Sequence, residues 1–258
     1  MSNSKHPDFD PNGVGLQNGH FIGLPFTEAD ANVVMLSIPW DLTASYGAGT
    51  STGPENILQA SRQLDLYDTD FKDAWKTGIY LRPSAPEWLK INNEFRPKSK
   101  TYINFLEQGG RLEEEPEMTS LLEGINETCR ALYQFVYEET SALLKAGKKV
   151  AIVGGEHSVP LGFIQALAER EGPFGILQID AHMDLREAYE GFQYSHASIF
   201  WNGLQIPEVS KLVQVGIRDS CDAEWELVES SDGRVVVFPD QEIKESQFEG
   251  KSWETICE

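Results

Sequence analysis

Two carboxylates and an imidazole stand at alternate positions in Asp180-Ala181-His182-Met183-Asp184, directly after the apolar run Phe174 to Ile179. Residues 174–179 predict a buried strand bounded by Gly172-Pro173. If the chain stays extended beyond it, a period of two sends all three polar groups to one side. Three ionisable groups converging at a strand end repel one another, or carry a large desolvation cost, unless a cation compensates them. A metal ion is the simplest remedy. The same residues also allow a plainer reading, in which Asp180 caps a helix and the other two are solvated in a loop.

A second cluster of this kind lies upstream, where Val150 to Val153 predicts a strand that runs into Gly154-Gly155-Glu156-His157-Ser158. The glycines let the backbone turn tightly and approach another group, so that His157 is presented at the strand's carboxyl end. An ordinary strand-to-helix turn, with Ser158 as its cap before Pro160, accounts for the glycines and the serine but not for the histidine. Tyr194-Ser195-His196 adds a third histidine after a polar loop. Of the five histidines, only His6 and His20 lie elsewhere, in a loop-like amino terminus. Carboxylate and imidazole donors without thiolates suit Mn²⁺, Fe²⁺, Co²⁺ or Zn²⁺.

The elements that must position these groups alternate along the chain. Val33 to Ile38 predicts a first strand, stopped by Pro39. A Gly/Ser/Thr loop from Ala44 to Gly53 then leads into a helix beginning at Pro54-Glu55. Gly78 to Leu81 predicts a second strand. Ser120 and Glu123 form a capping-box pattern before an amphipathic helix to Ala146, closed by Gly147. Helix 158–170, strand 174–179, strand 212–217, helix 222–230 and strand 235–238 follow. Residues 84–118 mix Pro, Lys and aromatics and end in the acidic run Glu113 to Glu117; they read as an insertion or surface excursion without chemistry of its own. This order predicts one α/β domain over 1–258, three-layered, its mostly parallel sheet covered by helices on both faces. Ligands then belong at strand carboxyl ends, where the histidines are.

With these motifs in place, the sequence resembles the ureohydrolases, the family of arginases, agmatinases and formimidoylglutamases. Gly154 to Ser158 is similar to the family's G-G-[DE]-H-S, and Asp180 to Asp184 to its D-A-H-x-D. Leu185-Arg186, Tyr189-Glu190-Gly191 and Ser195-His196 are similar to agmatinases in particular. Ile38-Pro39-Trp40-Asp41, Gly53-Pro54 and Val215-Gly216-Ile217-Arg218 extend the likeness over about residues 33–218. The resemblance implies an arginase-like fold and two manganese ions. His157 and Asp184 would serve one ion and His182 the other, with Asp180 bridging both. Ions so held would activate water for attack on a guanidinium carbon, giving urea and an amine. His196 would match the mobile general acid/base, and Glu156 would orient His157 or its surroundings. Leu185-Arg186, in place of the arginases' Asn, leans toward agmatine and putrescine. Arginase or formimidoylglutamase activity is the alternative, since Arg186 equally suits an anionic substrate.

The family's third motif, S-x-D-x-D-x-x-D-P, has no counterpart after Arg218. We therefore expect a chain truncated at its carboxyl end, weak or inactive alone. Three rivals stand beside this reading: a metal-dependent amidohydrolase of the deacetylase kind, a serine-nucleophile hydrolase using Ser158 or Ser195, and a non-catalytic protein keeping the fold. No G-x-S-x-G elbow supports the second.

Composition bounds the partners. A formal charge of −20 and a pI near 4.6 argue against nucleic acid and anionic membranes. The amino terminus has no apolar signal region, and no apolar run reaches a membrane span's length. Cys129, Cys221 and Cys257 form no disulfide or zinc pattern, which suits a cytoplasmic protein. The expected partners are a small cationic guanidino substrate and further copies of the chain.

Overall fold

The computed structural model describes residues 6–257. The chain divides into two compact units, Met1–Phe163 and Ile164–Glu258.

In the first unit, strands β1 (Val33–Ile38), β2 (Ile79–Arg82) and β3 (Lys149–Gly154) pair in parallel in the order β2-β1-β3. Val33 is in register with Ile79 on one side and Lys149 on the other. Val34, Leu36 and Ile38 are buried at alternate positions of β1, with Ser37 buried between them. Three helices accompany this sheet: α1 (Gly53–Ser61), α2 (Pro86–Glu107) and α3 (Pro116–Lys145).

Of the apolar stripe Leu121, Ile125, Leu132, Val136 and Leu143 that spacing predicts on α3, all but Leu121 are buried, and Cys129 is buried with them. Each large apolar side chain in it contributes roughly 1.5–3 kcal/mol by leaving water. The helix begins at Pro116, not at Ser120. Proline at the first helical position has the right φ and lacks only an N–H that would be unpaired there anyway, so it outcompetes the downstream capping pattern. It ends where Gly147 turns the chain at φ +75°.

Residues 84–118, read from the sequence as an insertion or surface excursion, contain the whole of α2. This helix packs on α3, with Trp88 and Phe135 ring centroids 5.2 Å apart and Trp88 edge-on to Trp40 at 5.9 Å. Pro97 lies inside it and interrupts the sequence signal without ending the helix.

In the second unit, β4 (Phe174–Ile179), β5 (Val209–Ile217) and β6 (Val235–Pro239) pair in parallel in the order β4-β5-β6. The helices are α4 (Leu161–Glu171), within which the two units divide, α5 (Ile199–Leu204), α6 (Asp222–Ser230), α7 (Asp240–Phe248) and α8 (Trp253–Cys257). Strand β5 is irregular at Gly216, where φ is +88°. Leu177 and Ile179 of β4 lie beside Val213 and Val215 of β5. With Phe238 and Trp253 they line an apolar groove of about 250 Å³, and they are 65% and 79% exposed.

The alternating order and the wholly parallel pairing are those of an α/β protein. Its strands hydrogen-bond as two sheets of three. No helix among the described residues is long and apolar enough to cross a membrane.

Candidate metal centre

His157 follows a turn locked against the end of β1. The Gly155 N–H donates to the Ile38 carbonyl at 3.3 Å, and the Glu156 N–H to the Trp40 carbonyl at 2.8 Å. A Cβ on Gly155 would fall 1.7 Å from the Trp40 oxygen, so only glycine fits. The Glu156 side chain is buried, and its Oε1 accepts from the Thr43 hydroxyl at 2.7 Å and the Ser158 hydroxyl at 2.9 Å. Ser158 thus serves Glu156, and α4 starts three residues later. His157 is half-buried at the carboxyl end of β3.

The loop after β1 is built around Asp41. Its Oδ2 accepts from the Gly49 N–H at 2.6 Å and from both the Ser51 N–H and hydroxyl, while the Asn92 side-chain amide donates to Oδ1 at 2.8 Å. Burial works to raise the Asp41 pKa, but the donors from Gly49, Asn92 and Ser51 outweigh it and hold the carboxyl below its usual range.

In the second unit, the Asp180 N–H donates to the Val215 carbonyl at 3.1 Å. The Ala181 carbonyl accepts from Arg218 at 2.9 Å and Asp219 at 3.1 Å, so the chain stays tied to β5 beyond the end of β4. Gly216, whose missing Cβ would meet the Asp180 carbonyl at 3.3 Å, allows this close approach. His182 pairs with Asp219 as an isolated parallel bridge. The His182 ring lies 3.7 Å from carboxylate oxygens of both Asp180 and Asp219. Asp219, to which sequence spacing assigned no role, is therefore part of this cluster.

The extended alternation predicted for Asp180, His182 and Asp184 is not kept at Asp184. Its φ is +55°, in a left-handed region that costs a non-glycine residue roughly 1–3 kcal/mol. The turn buries Asp184 to 6% exposure and leaves carboxylate oxygens of Asp180 and Asp184 within 4.8 Å of each other. Buried amides brace the loop: Gln214 donates to the Met183 carbonyl at 2.7 Å and to Gln178, and Gln178 donates to the His182 carbonyl at 2.9 Å. Glu224, 4% exposed and also missed by sequence reading, accepts the Leu185 N–H at 3.0 Å.

His196 opens a short 3-10 turn after Ser195, whose hydroxyl accepts the Ala197 N–H at 3.2 Å. The Tyr189 ring meets His196 edge-on at 6.4 Å, and the Arg186 guanidinium lies 4.8 Å from the centre of the same ring. The Arg186 N–H donates to the Ala197 carbonyl at 3.1 Å, joining this group to the aspartate loop.

Two carboxylates held this close repel each other, and a bound cation would relieve that repulsion. With imidazoles at hand and no thiolate, the donor chemistry fits a divalent ion of the hard-to-borderline kind.

Comparison with known proteins gives one consistent neighbourhood. The model of the arginase family matches residues 31–256. An N(1)-aminopropylagmatine ureohydrolase of Thermus thermophilus is 34% identical over 190 residues, 73% of this chain and 52% of that protein. An agmatinase of Bacillus anthracis is 26% identical over 197 residues, 76% of this chain and 56% of the relative. The solved agmatine ureohydrolase of Thermoplasma volcanium superposes with a TM-score of 0.62 at 21% identity, covering 89% of this chain and 64% of the other. That likeness shows a shared fold. The chain spans about half the length of the curated relatives it matches.

Proposed function

Since the chain belongs to the arginase family, we propose that it serves the metal-dependent hydrolysis of a cationic guanidino compound to urea and an amine, in the cytoplasm. The observation that carries this reading is the Asp180–Asp184 pair, held on a strained loop at the end of β4. By the family resemblance of Gly154 to Ser158, His157 is assigned as a further donor to the first ion. His182 is assigned to a second ion, with Asp180 shared, and the metal proposed is manganese. A divalent ion held there would supply Lewis-acid activation of water at neutral pH.

The remaining work falls to side chains of this chain. The imidazole of His196 passes a proton to the departing amine, its ring oriented by the edge of Tyr189. Glu156 keeps the His157 turn fixed through Thr43 and Ser158. The substrate proposed is agmatine or a relative extended by an aminopropyl group. The names of the Thermus and Bacillus relatives support this choice, as does the attraction of a −20 charge for a polycation. Arginase and formimidoylglutamase chemistry are the competing outcomes of the test.

That test is a side-by-side assay with Mn²⁺ of agmatine, aminopropylagmatine, arginine and guanidinobutyrate for urea, and of formimidoylglutamate for formamide. Urea from the first two substrates is expected. A preference for arginine or formimidoylglutamate rejects the substrate assignment, and no product from any of them by protein carrying two bound Mn²⁺ ions per chain rejects the activity.

A further inference from the structure

We propose that Glu224 is a positioning residue that acts through Asp184; the inference rests on the metal-binding reading above. The peptide joining Asp184 to Leu185 is held on both of its polar sides. Its carbonyl accepts from the N–H groups of Phe200 at 3.0 Å and Trp201 at 3.4 Å, both in α5. Its N–H donates to Glu224 Oε1 at 3.0 Å. The other carboxylate oxygen, Oε2, accepts the Cys221 N–H at 3.0 Å and lies 3.8 Å from the Arg186 Nε. One buried carboxylate therefore clamps the aspartate loop to the start of α6, 39 residues further along the chain.

The clamp matters because of the backbone of Asp184. Aspartate enters the left-handed region more readily than most side chains but still at a cost, so releasing its flanking peptide frees it to relax. The preceding carbonyl, that of Met183, is already fixed by Gln214, so Glu224 supplies the hold on the following side. Relaxation at Asp184 would swing its carboxylate away from that of Asp180. Glu224 thus sets the spacing of the two aspartate oxygens before any ion binds. A buried carboxylate spent on two backbone amides is otherwise a costly way to close a turn.

The test uses Co²⁺ as the probe metal, read by visible absorption during titration of the 258-residue chain. Glu224→Gln keeps the side chain's shape but sets an amide where an anion accepted an N–H. Its Co²⁺ affinity should fall about 10-fold or more, with a changed absorption spectrum, while Asp184→Asn should lose binding. Parent-like affinity and spectrum in Glu224→Gln, with binding lost in Asp184→Asn, would overturn the positioning role and leave the metal reading standing. Parent-like binding in Asp184→Asn would overturn the metal reading itself. Should Glu224→Gln fail to fold, the unmodified metal-free protein decides. A protected Leu185 amide in hydrogen exchange supports a clamp formed before the metal, and exchange at the rate of a free loop amide overturns it.

Discussion

Asp41 and Asn92 are joined by a reciprocal pair of hydrogen bonds. The Asp41 N–H donates to Asn92 Oδ1 at 2.9 Å, and the Asn92 side-chain amide donates back to Asp41 Oδ1 at 2.8 Å. Both residues are buried, so the loop after β1 and the second turn of α2 are tied by bonds that water does not replace. Asn92→Leu keeps the volume and removes both bonds, leaving the Asp41 N–H without its acceptor. We expect a loss of about 2 kcal/mol in urea unfolding. An unchanged midpoint would show that the pair is not integral to the fold.

The acid side of the stability profile should depend on Asp30. Burial opposes its ionisation, but the Thr27 hydroxyl and N–H and the His6 ring outweigh burial and bring its pKa down to about 2. The bonds concerned are 2.6–2.7 Å long. An unfolded aspartate titrates near 3.9, so the contribution is complete above about pH 4 and is lost as pH falls toward 2. Asp30→Asn should flatten the fall of the thermal midpoint across that window. Parent and variant curves of equal slope would count against Asp30 as the group responsible.

Two glycine-to-alanine changes should act in opposite directions. Gly155→Ala drives a methyl into the Trp40 carbonyl, forces the His157 turn to move, and should lower both stability and metal affinity. Gly124→Ala, in α3 with nothing near the added carbon, should raise stability by roughly 0.5–1 kcal/mol through helix propensity. Matching thermal midpoints for the two variants would refute the steric account.

Metal stoichiometry offers a further check. His157, Asp180, His182 and Asp184 are too few to fill two coordination spheres unless other groups or water complete them. The 258-residue chain is expected to keep one Mn²⁺ per molecule through desalting, to release the second, and to turn over slowly. Two retained ions and rapid urea release would mean that ligands come from beyond these four residues, with Asp219 beside His182 the first to examine.

What the sequence made legible was local. The bounds of β1 and β4 follow from short β-branched runs closed by Pro39 and by the acidic loop, and the α3 stripe follows from its spacing. Helix α2 was hidden because Pro97 breaks the helical pattern, although its buried partners on α3 and in the loop after β1 hold it. Asp184 was misread for a different reason. Alternation describes an extended chain, and the left-handed turn at Asp184 is imposed by Glu224, Phe200 and Gln214, none of which lies within ten residues of it. Tertiary bracing of that kind leaves no periodic trace.

The exposed Leu177 and Ile179 also set the conditions under which this chain stays dispersed. At neutral pH a formal charge of −20 keeps neighbouring molecules apart, so the apolar strip on β4 seldom meets its like. Near pH 4.6 that repulsion vanishes, and concentrated salt screens it at any pH. Sulfate adds a salting-out push on the same strip. Turbidity should therefore follow the charge on the surface, rising steeply toward the isoelectric point while the fold itself is intact.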